Sequence, residues 1–171
     1  MIVVSTTISL LSCSVASLFS YETIFEMTSS DKGEFLRFVG MGLASGLLFG
    51  FFFILAQGTK YFQVDTRYAL TAYIATSIQA SIAEEFLFRS YLFSYLQQYE
   101  FNPLFSVMFQ ALLFAVLHLP RYPGDWIVIL IALLSGVTAG YLTWKSNNLF
   151  SALTLHIAFN LLIVMWWLFI V

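Results

Sequence analysis

The sequence predicts an all-α fold: a polytopic transmembrane bundle of about six spans, with a polar catalytic cavity inside the membrane. Three observations lead there. Of the 171 residues, 60% are hydrophobic and only 9% are charged, against about 25% charged in soluble domains. The apolar residues fall in runs near the roughly 17–25 needed to cross a bilayer as helices. The few ionisable groups inside those runs are Glu84, Glu85, Arg89, His118 and His156, and each costs roughly 2.5–3.5 kcal/mol at membrane depth, so such groups face the bundle interior and carry function. The net charge of −2 gives no reason to expect a nucleic-acid partner. Cys13 is the sole cysteine and cannot form an internal disulfide.

Taken in order, the expected spans are about Ile2–Phe19, Phe35–Gln57, Ala69–Leu96, Pro103–Leu119, Trp126–Trp144 and Leu149–Val171. The first lacks the Lys or Arg that precedes the apolar core of a secretory signal, so it is read as a retained span. The loops hold most of the charge: Glu22, Glu26, Asp31, Lys32 and Glu34 in the first; Lys60, Asp65 and Arg67 in the second; Glu100 in the third. The fourth places Arg121 and Asp125 around Pro123-Gly124, and the fifth is Lys145-Ser146-Asn147-Asn148, ordinary turn chemistry in both cases. Lys60, Arg67 and Arg121 balance Lys32, Arg37 and Lys145 across the two sides, which leaves orientation open. Gly42, Gly46 and Gly50 in the second span, and Gly136 and Gly140 in the fifth, recur every four residues, the spacing that lets helix backbones approach closely. Packing within the chain is the expected use. Whether the protein forms oligomers is left open.

The third span holds Glu85 and Arg89 four apart on one helix face, where they can pair. Glu84 points about 100° away, on a neighbouring stripe with Ser77, Ser81 and Phe88. One carboxylate is thus held by an ion pair while the other faces a cavity. Gln110, Phe114 and His118 form an inward stripe on the fourth span, and His156 and Asn160 share a face of the sixth. A Glu–Arg pair alone locks helices together, and a membrane histidine alone is interhelical glue. A carboxylate, two imidazoles and an amide on three helices resemble a convergent site, where a base holds water and donors await an oxyanion.

Three motifs then stand in order, each on its own span: Glu84-Glu85-Phe86-Leu87-Phe88-Arg89 (EExxxR), Phe114-Ala115-Val116-Leu117-His118 (FxxxH) and His156-Ile157-Ala158-Phe159-Asn160 (HxxxN). In these the chain resembles the glutamic-type intramembrane endopeptidases of the CPBP (CAAX protease and bacteriocin-processing, or Abi) family, related to the Ras-converting CAAX prenyl endopeptidases. The resemblance covers about Ala69 to Val171, the catalytic core of a single membrane domain over residues 1–171. The stretch before it holds two spans, fewer than in eukaryotic relatives.

The resemblance implies a multi-pass protein of the cell membrane (inner or plasma) that cleaves a membrane-anchored peptide or protein, with the lipid bilayer as its other partner. By it, Glu84 is the general base on the attacking water and His118 positions that water. His156 and Asn160 stabilise the tetrahedral oxyanion, Glu85 and Arg89 fix the helix and tune Glu84, and Phe114 packs beneath His118. Which of its substrates applies, peptide maturation, bacteriocin immunity or removal of sorting anchors, is not written in these residues. Glu84, His118 and His156 are also the set that could bind zinc with a water. HExxH is absent and Asn160 reads as an oxyanion donor, so metal-free chemistry is expected and no cofactor is assigned. A non-catalytic scaffold or immunity protein of the same fold is the alternative, although such a protein has no reason to keep costly buried polar groups. A transporter using Glu84 as proton site would call for broken spans or repeats, which the sequence lacks.

Depth poses one demand. His118 sits near one end of its span and His156 roughly 10 Å in from the other side. To meet Glu84, the spans must tilt, or the Pro120–Pro123 segment must dip into the protein.

Overall fold

The computed structural model describes residues 32–58 and 67–170, and every regular element among them is helical. In chain order these are α1 (Lys32–Gln57), α2 (Arg67–Glu85), a π-helical stretch (Phe86–Leu92), α3 (Phe93–Gln98), α4 (Pro103–His118), α5 (Trp126–Ser146) and α6 (Leu149–Ile170). The expected span over Ile2–Phe19 lies outside the described residues. α1, α5 and Leu149–Trp166 of α6 are long and apolar enough to cross a membrane, and α4 is a shorter apolar helix. At 1.5 Å per residue α5 extends about 31 Å, one hydrocarbon thickness. Its ends carry Trp126 and Trp144, the latter with the Lys145 ammonium 3.9 Å from its ring centroid, a pairing suited to the headgroup region.

The helix boundaries follow local chemistry. α1 begins three residues before its expected start because Lys32-Gly33-Glu34 joins the first turn, where the Glu34 carboxylate meets the positive end of the helix dipole. Asn102 caps α4 by accepting from the Leu104 N–H at 2.9 Å, with Pro103 in the first turn. Asp125 caps α5, and its carboxylate also accepts from Gln57 Nε2 at 3.0 Å, tying the end of α1 to the start of α5. α5 ends in Asn147 at φ 46°, a left-handed cap that asparagine tolerates. Asn148 then accepts from the Phe150 N–H at 2.7 Å, opening α6.

α6 packs against α1, α2 and α5, and α4 packs against α5. The glycine stripes are the reason these contacts are close. Gly42, Gly46 and Gly50 are buried on α1. A Cβ on Gly42 or Gly46 would collide with the backbone carbonyl of Ser151 or Leu155, and one on Gly50 would meet the Leu162 side chain at 3.1 Å. The stripe is therefore spent inside the chain, against the helix that carries His156 and Asn160. Gly46→Val forces α1 off α6, and a loss of about 1–3 kcal/mol is expected from overpacking alone. A lowered thermal midpoint in detergent micelles, against an unchanged one for Gly40→Ala at an open position, checks it.

The helical path from Arg67 to Gln98 is continuous but not uniform, since seven residues over Phe86–Leu92 are π-helical. Such wide turns are rare and concentrate at functional sites. This one begins directly after Glu85.

Candidate active site

The first acidic motif straddles the change of helical form: Glu84 and Glu85 close α2, and Arg89 lies in the π-helical stretch. Glu85 and Arg89 are each 1% exposed and joined at 3.0 Å from Nη1 to Oε1, as their spacing predicted. A buried carboxylate and guanidinium need further partners to offset desolvation, and both have them. Arg89 Nη2 donates to the Gly136 carbonyl of α5 at 3.3 Å. The same carbonyl accepts from Gln110 Nε2 of α4 at 3.1 Å. The guanidinium carbon also lies 4.7 Å from the centroid of the Phe114 ring, a cation–π contact in a desolvated setting. Arg89 thereby ties the π-helical stretch to two other helices.

Glu85 does more than its expected pairing. Its Oε1, which already accepts from Arg89, also bonds Nδ1 of His156 at 2.7 Å. A carboxylate only accepts, so Nδ1 carries the proton and the ring turns Nε2 the other way. Nε2 faces Oε2 of Glu84 at 3.8 Å, beyond a direct hydrogen bond. Glu84 is 37% exposed as a side chain, yet its Oε2 is buried and has no hydrogen-bond partner among the described residues. One oxygen of this carboxylate thus looks inward at an imidazole while the group as a whole stays accessible.

Phe114 joins the two histidines. Its ring centroid lies 4.6 Å from that of His118, and 5.8 Å from that of His156 at an interplanar angle of 86°. On its other side it meets Phe88 edge-on at 5.3 Å. His118 Nδ1 is bonded to the Phe114 carbonyl at 2.8 Å, leaving Nε2 for other work. Its ring lies parallel to Tyr122 at 6.3 Å and within Coulombic reach of Glu84 and His156. Of the loop residues Pro120–Gly124, Tyr122 alone turns inward, onto an apolar cluster with Phe53, Ile54, Val128 and Ile163. Pro120, Arg121 and Pro123 stay exposed, so the segment as a whole does not dip into the protein.

Asn160 reaches across to α2, where its Nδ2 donates to Ser81 Oγ at 2.8 Å. Glu84, Glu85, Arg89, Phe114, His118 and His156 are therefore one connected neighbourhood, and Asn160 is bound to Ser81, three residues before Glu84 on the same helix. Sequence reasoning placed Ser81 on the Glu84 stripe without giving it a partner, and it missed the Gly136 carbonyl altogether. The nearest hint was the small-residue repeat of Gly136 and Gly140.

Among the described residues, no three His, Cys, Asp or Glu side chains are disposed to hold a metal ion. Nδ1 of each histidine is already committed, to Glu85 and to the Phe114 carbonyl. Each Nε2 is left open, and Nδ1 bonded to a carboxylate or a backbone carbonyl is also the habit of metal-bound histidines, so these bonds do not bar Glu84, His118 and His156 from a metal ion. Beside the site, between the π-helical stretch and α4, runs a groove of about 280 Å³ lined by Leu87, Phe88, Tyr91, Leu92, Leu113, Val116 and Leu117. It is apolar and shares Phe88 with the site, so it is distinct from the polar cavity expected from the sequence.

Residues 66–162, more than half of the chain, match the family model described as Rce1-like, type II CAAX prenyl endopeptidase. The matched region contains all three motifs. Comparison with curated proteins and with solved structures found no match.

Proposed function

The chain belongs to the Rce1-like family of type II CAAX prenyl endopeptidases, and on that premise we propose that it is an intramembrane endopeptidase that hydrolyses a peptide bond of a membrane-anchored peptide or protein, with Glu84 as the general base. The observation that carries this reading is the disposition of Glu84 and His156. An inward carboxylate oxygen with no hydrogen-bond partner among the described residues stands 3.8 Å from an imidazole nitrogen whose opposite nitrogen is fixed by Glu85. The rest of the carboxylate is open, the side chain being 37% exposed, so a water can reach this base beside the imidazole.

In the proposed reaction Glu84 takes a proton from the water as its oxygen attacks the scissile carbonyl carbon. The carbonyl electron pair moves to oxygen, and the tetrahedral oxyanion is met by donors from α6, His156 Nε2 and Asn160 Nδ2. His156 can donate from Nε2 while donating from Nδ1 to Glu85 only as imidazolium. Glu84 and Glu85 then face Arg89 and His156, two negative charges against two positive ones, a balance that makes the buried cluster tolerable. The proton on Glu84 passes to the leaving amine as the C–N bond breaks. His118, its ring tilted 52° against that of Phe114, positions the water with its Nε2. Phe114 excludes solvent beneath both imidazoles.

The test is cleavage of a quenched fluorogenic, membrane-anchored peptide by the purified chain in proteoliposomes. Turnover by wild type that Glu84→Ala abolishes is the expected result. No turnover by wild type, or equal turnover by Glu84→Ala, refutes the assignment and favours a non-catalytic scaffold of the same fold. On the metal-free reading 1,10-phenanthroline should leave the wild-type rate within about two-fold, whereas a zinc site with three protein ligands would lose its metal and its activity.

A further inference from the structure

We infer that Ser81 is a positioning residue that selects which end of the Asn160 side chain faces the reacting carbonyl, an inference that rests on the endopeptidase reading above. Ser81 is fully buried. Its hydroxyl donates back to the Ser77 carbonyl at 2.9 Å, a common habit of helical serines. A hydroxyl has one proton, so the side of Oγ facing α6 presents only lone pairs. Only the NH2 end of an asparagine amide can meet them, and Asn160 Nδ2 does so at 2.8 Å. The swapped amide would set oxygen against oxygen in a buried place.

The selection has a chemical consequence. An amide nitrogen carries two protons; Ser81 binds one, and the other is left as a donor. Ser81 also sits three residues before Glu84, on the same face of α2. The Ser77–Ser81–Asn160 chain therefore fixes the donor's identity and its spacing from the base in a single contact across the interface of α2 and α6. Without it the amide can swap ends, which halves the competent population. Its position also loosens, and misplacement of about 1 Å at a reacting centre costs up to about 10²-fold.

The experiment compares kcat and KM of wild type, Ser81→Ala, Ser81→Thr and Ser81→Cys in the proteoliposome assay, and repeats Ser81→Ala on an Asn160→Ala background. Ser81→Ala should lower kcat about ten-fold with KM within two-fold. Ser81→Thr, which keeps the hydroxyl, should recover most of that loss. On the Asn160→Ala background, Ser81→Ala should have no further effect on kcat, since a residue acting through Asn160 has nothing left to act on. Unchanged kcat in Ser81→Ala overturns the inference, as does an equal loss on both backgrounds. If Ser81→Ala does not fold, Ser81→Cys serves, since it keeps the volume but hydrogen-bonds weakly: full wild-type kcat in that variant also overturns it. Wild-type turnover that Glu84→Ala abolishes, with Ser81→Ala unaffected, sinks the role of Ser81 alone. No wild-type turnover sinks the endopeptidase reading and this inference with it.

Discussion

Glu84→Gln is expected to lower kcat for cleavage of a membrane-anchored peptide by about 10²–10⁴-fold and to lower the thermal midpoint far less than a substitution at Glu85. General base catalysis contributes typically 10²–10⁴-fold, and glutamine retains the shape of the side chain while losing the ability to take a proton. The fold is expected to suffer less than from a change at Glu85, because Glu84 acts on His156 across 3.8 Å by charge and makes no direct hydrogen bond to it. Its Oε2 has no hydrogen-bond partner among the described residues, and the side chain is 37% exposed. The variant therefore separates chemistry from stability, as no substitution at the buried Glu85 can. A drop in turnover accompanied by an equally large drop in melting temperature would show that Glu84 is structural. The measurement pairs single-turnover cleavage in proteoliposomes with thermal unfolding in detergent.

Much of this arrangement could be read in the residues themselves, for reasons that are local. Helix ends were legible where capping chemistry is written in the chain, as at Asn102-Pro103 and at Asp125 before Trp126. The Glu85–Arg89 pair was legible because residues four apart share a helix face. The Gly42, Gly46 and Gly50 stripe announced a close helix contact, and α6 supplied it. Partners across the bundle were not legible, because spacing says which residues share a face and nothing about which helix meets that face or at what depth. Glu85 was assigned to Arg89 alone, yet it also holds His156, 71 residues away. Ser81 was visible as a polar residue beside Glu84, but its bond to Asn160 spans 79 residues. The π-helical turn at Phe86–Leu92 has no compositional mark at all, since Phe, Leu, Arg, Ser and Tyr fit an α-helix equally well. Of the six spans expected, three helices among the described residues have the length and apolarity to cross a membrane.

Glu85→Gln is expected to damage stability and activity together, and a second substitution is expected to part them again. Glu85 Oε1 bonds both Arg89 Nη1 and His156 Nδ1, and both residues of the ion pair are 1% exposed. Removing the negative charge strands a buried guanidinium, and breaking a buried pair from one side costs about 3–5 kcal/mol. The same change replaces an acceptor-only carboxylate by an amide that can meet Nδ1 of His156 with either end, so the ring no longer has a fixed tautomer or charge. A loss of catalysis of at least about 10²-fold follows if His156 is an oxyanion donor. Adding Arg89→Met removes the stranded charge and substitutes an apolar chain of similar reach, a change that is often neutral in buried pairs. It leaves the Gly136 carbonyl its bond from Gln110. The double variant should therefore recover most of the lost thermal stability while cleavage stays lost, because nothing in it restores the carboxylate that holds His156 in one protonation state. Recovery of both would mean that Glu85 serves only to neutralise Arg89. Recovery of neither would mean that the guanidinium's ties to α5 and Phe114 hold the bundle independently of Glu85.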